Sequence, residues 1–180
     1  MVIQEKLIED KLFSWLEAHH RGIRKTHERF VHPYKEAEFP TKKHEDWKYT
    51  DITQVFDQQY EPIPKIKITE KEFSILVPIS DFAGRIVFLN GEYSHELSRY
   101  DHTGIIVESI EEYSRRDACG YNALLDGTKV SQSGKLQLLN TIFAHHGAVI
   151  RVARNVQISK PIGIVYINSG ETTSVLNTRN

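Results

Sequence analysis

The stretch that most restricts this fold is Arg85–Leu89. In a strand, Ile86 and Phe88 point to one side and Val87 and Leu89 to the other, so both faces are apolar. A strand of this kind has to be covered above and below. Asn90-Gly91 follows at once, and both residue types tolerate positive φ, as a two-residue hairpin turn requires. The spacing predicts a hairpin over 85–97, with Tyr93, His95 and Leu97 along one face of the returning strand.

Upstream the pattern is helical. Ile8, Leu12, Trp15, Leu16 and His19 make an apolar stripe with charges on the opposite face, and Gly22 is the expected end. Ile23, His27, Phe30 and Tyr34 repeat at helical spacing, which predicts a second helix that Pro33 kinks or ends. Pro40 closes this region. Residues 60–68 alternate around Pro62 and Pro64 and read as a linker or edge segment. Past the hairpin, Ile105 and Val107 predict a strand. Ser109 with Glu112 three residues on is a capping box that starts a helix. Residues 117–133 hold Gly120 and Asp126-Gly127, few periodic apolar residues, and read as a loop. Leu136, Leu139 and Phe143, widened by Leu138 and Ile142, predict a further helix with His145 and His146 in its last turn and Gly147 as its C-cap. The last third changes character. The runs 148–152, 162–167 and 172–176 are short and β-branched, as in a meander, a sandwich or a β-solenoid. The sequence stops at Asn180 while still strand-like, which reads as a polypeptide cut short.

Of the 180 residues, 39% are hydrophobic and 26% charged, enough for a core along the whole length. A net charge of −1 gives no bulk attraction to nucleic acid or an anionic membrane. Charges at Glu5, Lys6, Glu9, Asp10 and Lys11 break up the apolar run a signal peptide needs, and no window approaches a membrane span. One cysteine, Cys119, rules out an internal disulfide and a paired-cysteine metal site. The expectation is a cytoplasmic protein that binds neither nucleic acid nor membrane.

Nine histidines raise a metal reading: His19, His20, His27, His32, His44, His95, His102, His145 and His146. Neighbouring histidines on a helix point about 100° apart, so neither adjacent pair readily shares an ion. His27-Glu28 resembles the start of a zinc motif, but His32 comes one residue too late for the shared face. Cys119 lies near Arg115 and Arg116, but Gly120-Tyr121 shows no catalytic signature, and a buried or loop thiol is the plainer reading. Glu45-Asp46 and Glu111-Glu112 lack the apolar setting that separates two carboxyl pKa values, and suit helix starts or solvent. No glycine-rich phosphate loop is present. Lys42, Lys43, Trp47, Lys48 and Tyr49 have the composition of a single-strand nucleic-acid surface, but Glu45 and Asp46 repel phosphate. In extended backbone Trp47 and Tyr49 share a face, which predicts a hydrophobic clamp laid on the domain.

Three segments together resemble the SufD family of the SUF iron–sulfur cluster assembly system. They are Pro40-Thr41-Lys42-Lys43-His44-Glu45-Asp46-Trp47-Lys48-Tyr49-Thr50, the run from Arg85 to Tyr93 with Glu96-Leu97-Ser98, and the stretch from Leu138 through Gly147–Val152 to Lys160-Pro161-Ile162. The resemblance implies an α+β fold. A helical region with the Trp/Tyr anchor (1–60) and a mixed strand and helix region (61–146) lead into the first rungs of a right-handed parallel β-helix (147–180), truncated. It implies a non-catalytic scaffold working with SufB and the ATPase SufC, with no cofactor in this fragment. The family's SufC-docking helices and SufB-facing residues lie in later portions, so no catalytic, cofactor-binding or metal residue carries over. An open solenoid end exposes strand edges, so self-association is a further expectation. Two other readings remain: a small α+β metal- or ligand-binding protein using the histidines, and an unrelated protein-interaction module.

Overall fold

The structure, a computed structural model, describes residues 11–18, 24–53, 60–61, 64–78, 81–100, 103–127 and 134–170. The described residues group into two compact units. One draws on Met1–Pro62 and Cys119–His145, the other on Ile63–Ala118 and His146–Glu171.

The second unit is organised by β1, Gly84–Leu89, whose two apolar faces each meet a separate core. Ile86 and Phe88 pack with Ile105, Val107 and Ala148. Val87 and Leu89 pack with Phe73 and Leu97, and Ile66, Ile68, Val165 and Ile167 close in around them. The strand is therefore the middle of three layers. One outer layer is a two-stranded antiparallel sheet of β4 (Ile105–Ser109) and β5 (Ala148–Val152). The other is the helix α3 (Glu70–Leu76). Arg85 ties α3 down. Its Nη2 donates to both oxygens of Glu70 at 2.6 Å, its Nε donates to the Leu97 carbonyl at 2.7 Å, and its guanidinium lies 4.3 Å from the Phe73 ring centre.

Asn90 (φ 45°) and Gly91 (φ 83°) turn the chain as their sequence requires. The returning strand β2 covers only Glu92–Tyr93, which is a correction to the 85–97 hairpin. After Tyr93 the chain leaves the ladder and rejoins it as β3, Arg99–Tyr100, against Gly84 and Arg85. Ser94 to Ser98 thus face only Ile86 and Val87 of β1. Val87 keeps its backbone bonds through Ser94 N–H and the Ser98 hydroxyl, so the excursion leaves no ladder group of that residue unmet. It also sends Leu97 into the core beside Val87, off the face that Tyr93 occupies.

On its other edge β1 takes β6, Ile162–Ile167, in parallel and in register from Gly84↔Ile162 to Leu89↔Ile167. The runs 148–152 and 162–167 are strands, as read, but each pairs with an earlier strand, β4 or β1. The run 172–176 lies outside the described residues.

The capping box is present. Ser109 Oγ accepts Glu112 N–H at 3.2 Å, and the Glu112 carboxylate accepts the Ser109 N–H and hydroxyl, starting α4 (Ile110–Arg116). Thr69 and Glu72 build the same device at α3. Ser109→Ala removes the hydroxyl partner and is expected to cost about 1 kcal/mol in urea unfolding. Acid should weaken the same places. The Glu70, Glu72 and Glu112 carboxyls lie below the usual 4.5, held there by Arg85, by the Thr69 N–H and by the Ser109 hydroxyl respectively. A carboxyl lowered by folding adds stability that is complete above its unfolded value and is lost as pH falls through its folded one. Urea midpoints should therefore hold from neutrality to about pH 5 on account of these groups, and decline below about pH 4.

In the first unit, residues 11–18 form a helix, α1, that buries Leu12 and Leu16, as the stripe requires. Ile8, His19, Gly22 and Ile23 lie outside the described residues. The second helix differs from its expectation. A 3₁₀ turn, Glu28–Phe30, runs into α2, Val31–Glu36, and Pro33 sits in its first turn. No intrahelical partner waits there for its missing N–H, so the helix continues to Glu36. Residues 118–127 are the helix α5, not the expected loop, and bury Tyr121 and Leu125, one turn apart. The helix α6, Lys135–Ile142, ends earlier than predicted, at Phe143. His145 lies beyond it, and Gly147 instead accepts the Ile110 N–H in the second unit.

Candidate functional site

The excursion from Ser94 to Ser98 opens a cleft within the second unit. It has a volume of about 680 Å³ and is lined by Tyr93, His95, Ser98, Tyr100, Val107, Glu108, Glu112, Arg115 and Arg116. That volume falls in the range of small-ligand sites. Two structures with local causes shape it. The split return strand sets Tyr93 and Tyr100 on either side of the excursion, and the capping box fixes Glu112 at the head of α4.

Most of the lining is bonded. Arg116 grips Glu108 with two parallel bonds, Nε to Oε1 at 2.8 Å and Nη2 to Oε2 at 2.7 Å. This pairing holds the Glu108 carboxyl below, and the Arg116 guanidinium above, their ordinary values. Arg115 meets Glu111 at 2.9 Å. The Tyr93 ring stands edge to face with His95, centroids 4.8 Å apart, and burial raises its hydroxyl pKa. Glu112 spends Oε2 on Ser109, and its Oε1 lies 3.9 Å from His95 Nε2, beyond hydrogen-bond reach. The arrangement sets polar and charged side chains beside two aromatic rings and can hold a small polar or charged group.

The histidines are spread over the chain. His27 is fully buried. A carbonyl only accepts, so Nδ1 donates to Ile142 O at 3.3 Å, and in the neutral ring Nε2 accepts from the Tyr121 hydroxyl at 2.8 Å. His145 accepts from Arg24 Nε at 3.4 Å through Nδ1. His32 faces Glu36, one turn on, and His44 faces Glu38 and Thr41. His19, His20 and His102 lie outside the described residues. Among the described residues no group of three or more His, Cys, Asp or Glu is gathered to hold a metal ion. Cys119 is exposed near the start of α5.

The Trp47–Tyr49 clamp does not form as predicted. Glu45–Trp47 is a 3₁₀ turn, so the two rings do not share an extended face, and Tyr49 is 91% exposed. Bonds within the segment hold it: Trp47 N–H to His44 O, Thr50 N–H to Trp47 O, and Lys42 to Asp51 at 3.1 Å. Glu45 and Asp46 occupy the first turn, as exposed charges.

Of the cleft lining, sequence reasoning had named Tyr93, His95, Val107, Glu112, Arg115 and Arg116, each for another reason, and had not grouped them. Tyr93 and Tyr100 come together through a strand interruption, for which the serines at 94 and 98 are the one local sign. No helix among the described residues is long and apolar enough to cross a membrane. No curated protein matches the chain. The sequence does match, over residues 6–164, the family described as "SufBD protein N-terminal region". That match takes in the Trp47–Tyr49 turn, the β1 hairpin, the cleft and the start of β6, and with it the chain belongs to the SufBD family of the SUF iron–sulfur cluster assembly system.

Proposed function

We propose that this chain supplies the N-terminal part of a non-catalytic scaffold subunit of the SUF machinery, of the SufD type, working in the cytoplasm with SufB and SufC. The observation that carries the reading is the family match across residues 6–164. The order of the three segments that resemble SufD supports the choice of subunit. The parallel, in-register pairing of β6 with β1 supports the architecture, because neighbouring rungs of a parallel β-helix pair their strands in that way. The iron–sulfur cluster is then cargo of the assembly, and this part contributes framework.

Complementation tests the subunit assignment. The gene carrying this chain, in a cell lacking SufD, is expected to restore the activity of iron–sulfur enzymes and to co-purify with SufB and SufC. Rescue of a cell lacking SufB, without rescue of one lacking SufD, would overturn the SufD assignment. Turnover of a substrate by the purified protein alone would overturn the scaffold role.

A further inference from the structure

Asn90-Gly91 is the one Asn-Gly pair in the sequence, and that dipeptide carries a chemistry of its own. The backbone nitrogen after an asparagine can attack the side-chain amide carbon, and glycine, without a Cβ, crowds the approach least. A bond forms from Gly91 N to Asn90 Cγ, the Cγ–Nδ2 bond breaks, and ammonia leaves with the proton that the Gly91 nitrogen gives up. Water then opens the succinimide at either carbonyl. The product is aspartate or, where the main chain runs through the side-chain carbon, isoaspartate. Water is the only co-reactant.

The fold blocks this attack. Asn90 is buried and its amide is held from three directions, with Nδ2 on Pro64 O and Ser169 O and Oδ1 on the Ser169 N–H. Its own N–H goes to Ile167 O, the last residue of β6. Cγ cannot swing toward Gly91 N, and water cannot reach it, until the end of β6 leaves the turn. That end carries the exposed side chains of Ile164 and Tyr166, so it belongs to the part of the sheet that opens before the core does. The reaction also closes the way back. A carboxylate only accepts, so aspartate sets an oxygen against the Pro64 and Ser169 carbonyls. Isoaspartate adds a main-chain atom to a turn whose length is fixed by the pairing of Leu89 with Glu92.

We propose that Asn90-Gly91 is a self-modification site gated by β6: a chain whose β6 end has left the turn deamidates there with water, and the product cannot re-form the clasp. Chains with β6 in place keep the amide, and chains that have opened are marked and held open. The inference stands apart from the scaffold reading, because it concerns one turn and one strand end whatever the complex.

Incubation of the full chain at mildly alkaline pH, with and without unfolding concentrations of urea, tests it. Digestion and mass spectrometry follow the loss of the Asn90 amide, and chromatography separates aspartate from isoaspartate. The folded chain is expected to react at least about a hundredfold more slowly than the unfolded one, since opening breaks three side-chain bonds. Tyr166→Ala removes the ring stacked on Phe88 without touching the turn. It should speed the reaction about fivefold in buffer and leave the rate in urea unchanged. Asn90→Asp stands in for the product, and exchange of its Ser169 N–H, read by NMR, should be at least about tenfold faster than in wild type. Equal rates with and without urea would overturn the gating. So would a Tyr166→Ala chain that reacts in buffer no faster than wild type. Wild-type protection of the Ser169 N–H in Asn90→Asp would show that the product closes again, and would overturn the one-way character.

Discussion

Asn90→Ala is expected to destabilise the second unit by about 3 kcal/mol or more. Asn90 is 3% exposed, and its side chain joins three separate parts of the chain. Nδ2 donates to Pro64 O at 2.7 Å and to Ser169 O at 2.8 Å, while Oδ1 accepts the Ser169 N–H at 2.7 Å. Its backbone N–H reaches Ile167 O, so the turn after β1 is fastened to the end of β6. Alanine loses all three side-chain bonds and also has to hold φ 45°, which a side chain without local hydrogen bonds resists. Glycine separates the two causes. Asn90→Gly removes the backbone cost and keeps the loss of bonds, so it should fall between wild type and Asn90→Ala in urea unfolding. Asn90→Asp should match alanine, because its carboxylate sets an oxygen against two carbonyls. A glycine variant as stable as wild type would show that the clasp contributes nothing and that only the turn's conformation matters.

Phe88→Ala is expected to cost about 4 kcal/mol, a large part of the ~5–15 kcal/mol by which domains of this size are stable. The ring has no exposure and sits in the core with Ile86, Ile105, Val107 and Ala148. It stacks on Tyr166 with centroids 5.0 Å apart and planes 12° apart, and meets Tyr93 edge-on at 5.8 Å. Its removal leaves a cavity between the β1 sheet and the β4–β5 sheet and takes away the ring that Tyr166 covers. Phe88→Leu refills much of the space and should cost about 1.5 kcal/mol. The difference between the two variants measures the cavity, and equal losses would mean that ring stacking, not volume, carries the effect. Since Tyr93 also lines the cleft, Phe88→Ala should disturb its resonances as well.

What could be read directly from the sequence was local. Ser109 and Glu112 lie one helical turn apart, so the capping box needs nothing beyond its own residues. The Asn90-Gly91 turn and the double apolar face of β1 follow from intrinsic backbone freedom and from strand alternation. The segments shared with the SufBD family were also legible, because a match needs only residues in order.

Where local signals were ambiguous, burial decided. Gly120 and Asp126-Gly127 read as breakers, yet Tyr121 and Leu125 are buried on one face and α5 forms despite the glycine. Pro33 has the same ring wherever it stands. Its effect depended on whether it fell inside the helix or in the first turn, which the packing of Phe30 and Tyr34 set. The Trp47–Tyr49 pair was expected to lie flat, but a 3₁₀ turn closed by local bonds left Tyr49 in solvent.

Sequence alone determined the start of α4, the Asn90-Gly91 turn, the two-sided central strand and the family. The tertiary structure decided that Ile162–Ile167 lies parallel to Gly84–Leu89, that Ser94 to Ser98 leave the ladder, and that Tyr93, Tyr100 and Glu112 come to line one cleft. The physical reason is distance along the chain. Caps and turns are set by groups within a few residues of one another, whereas strand register and cleft walls join distant segments, whose pairing is chosen by the burial of both faces of β1 at once.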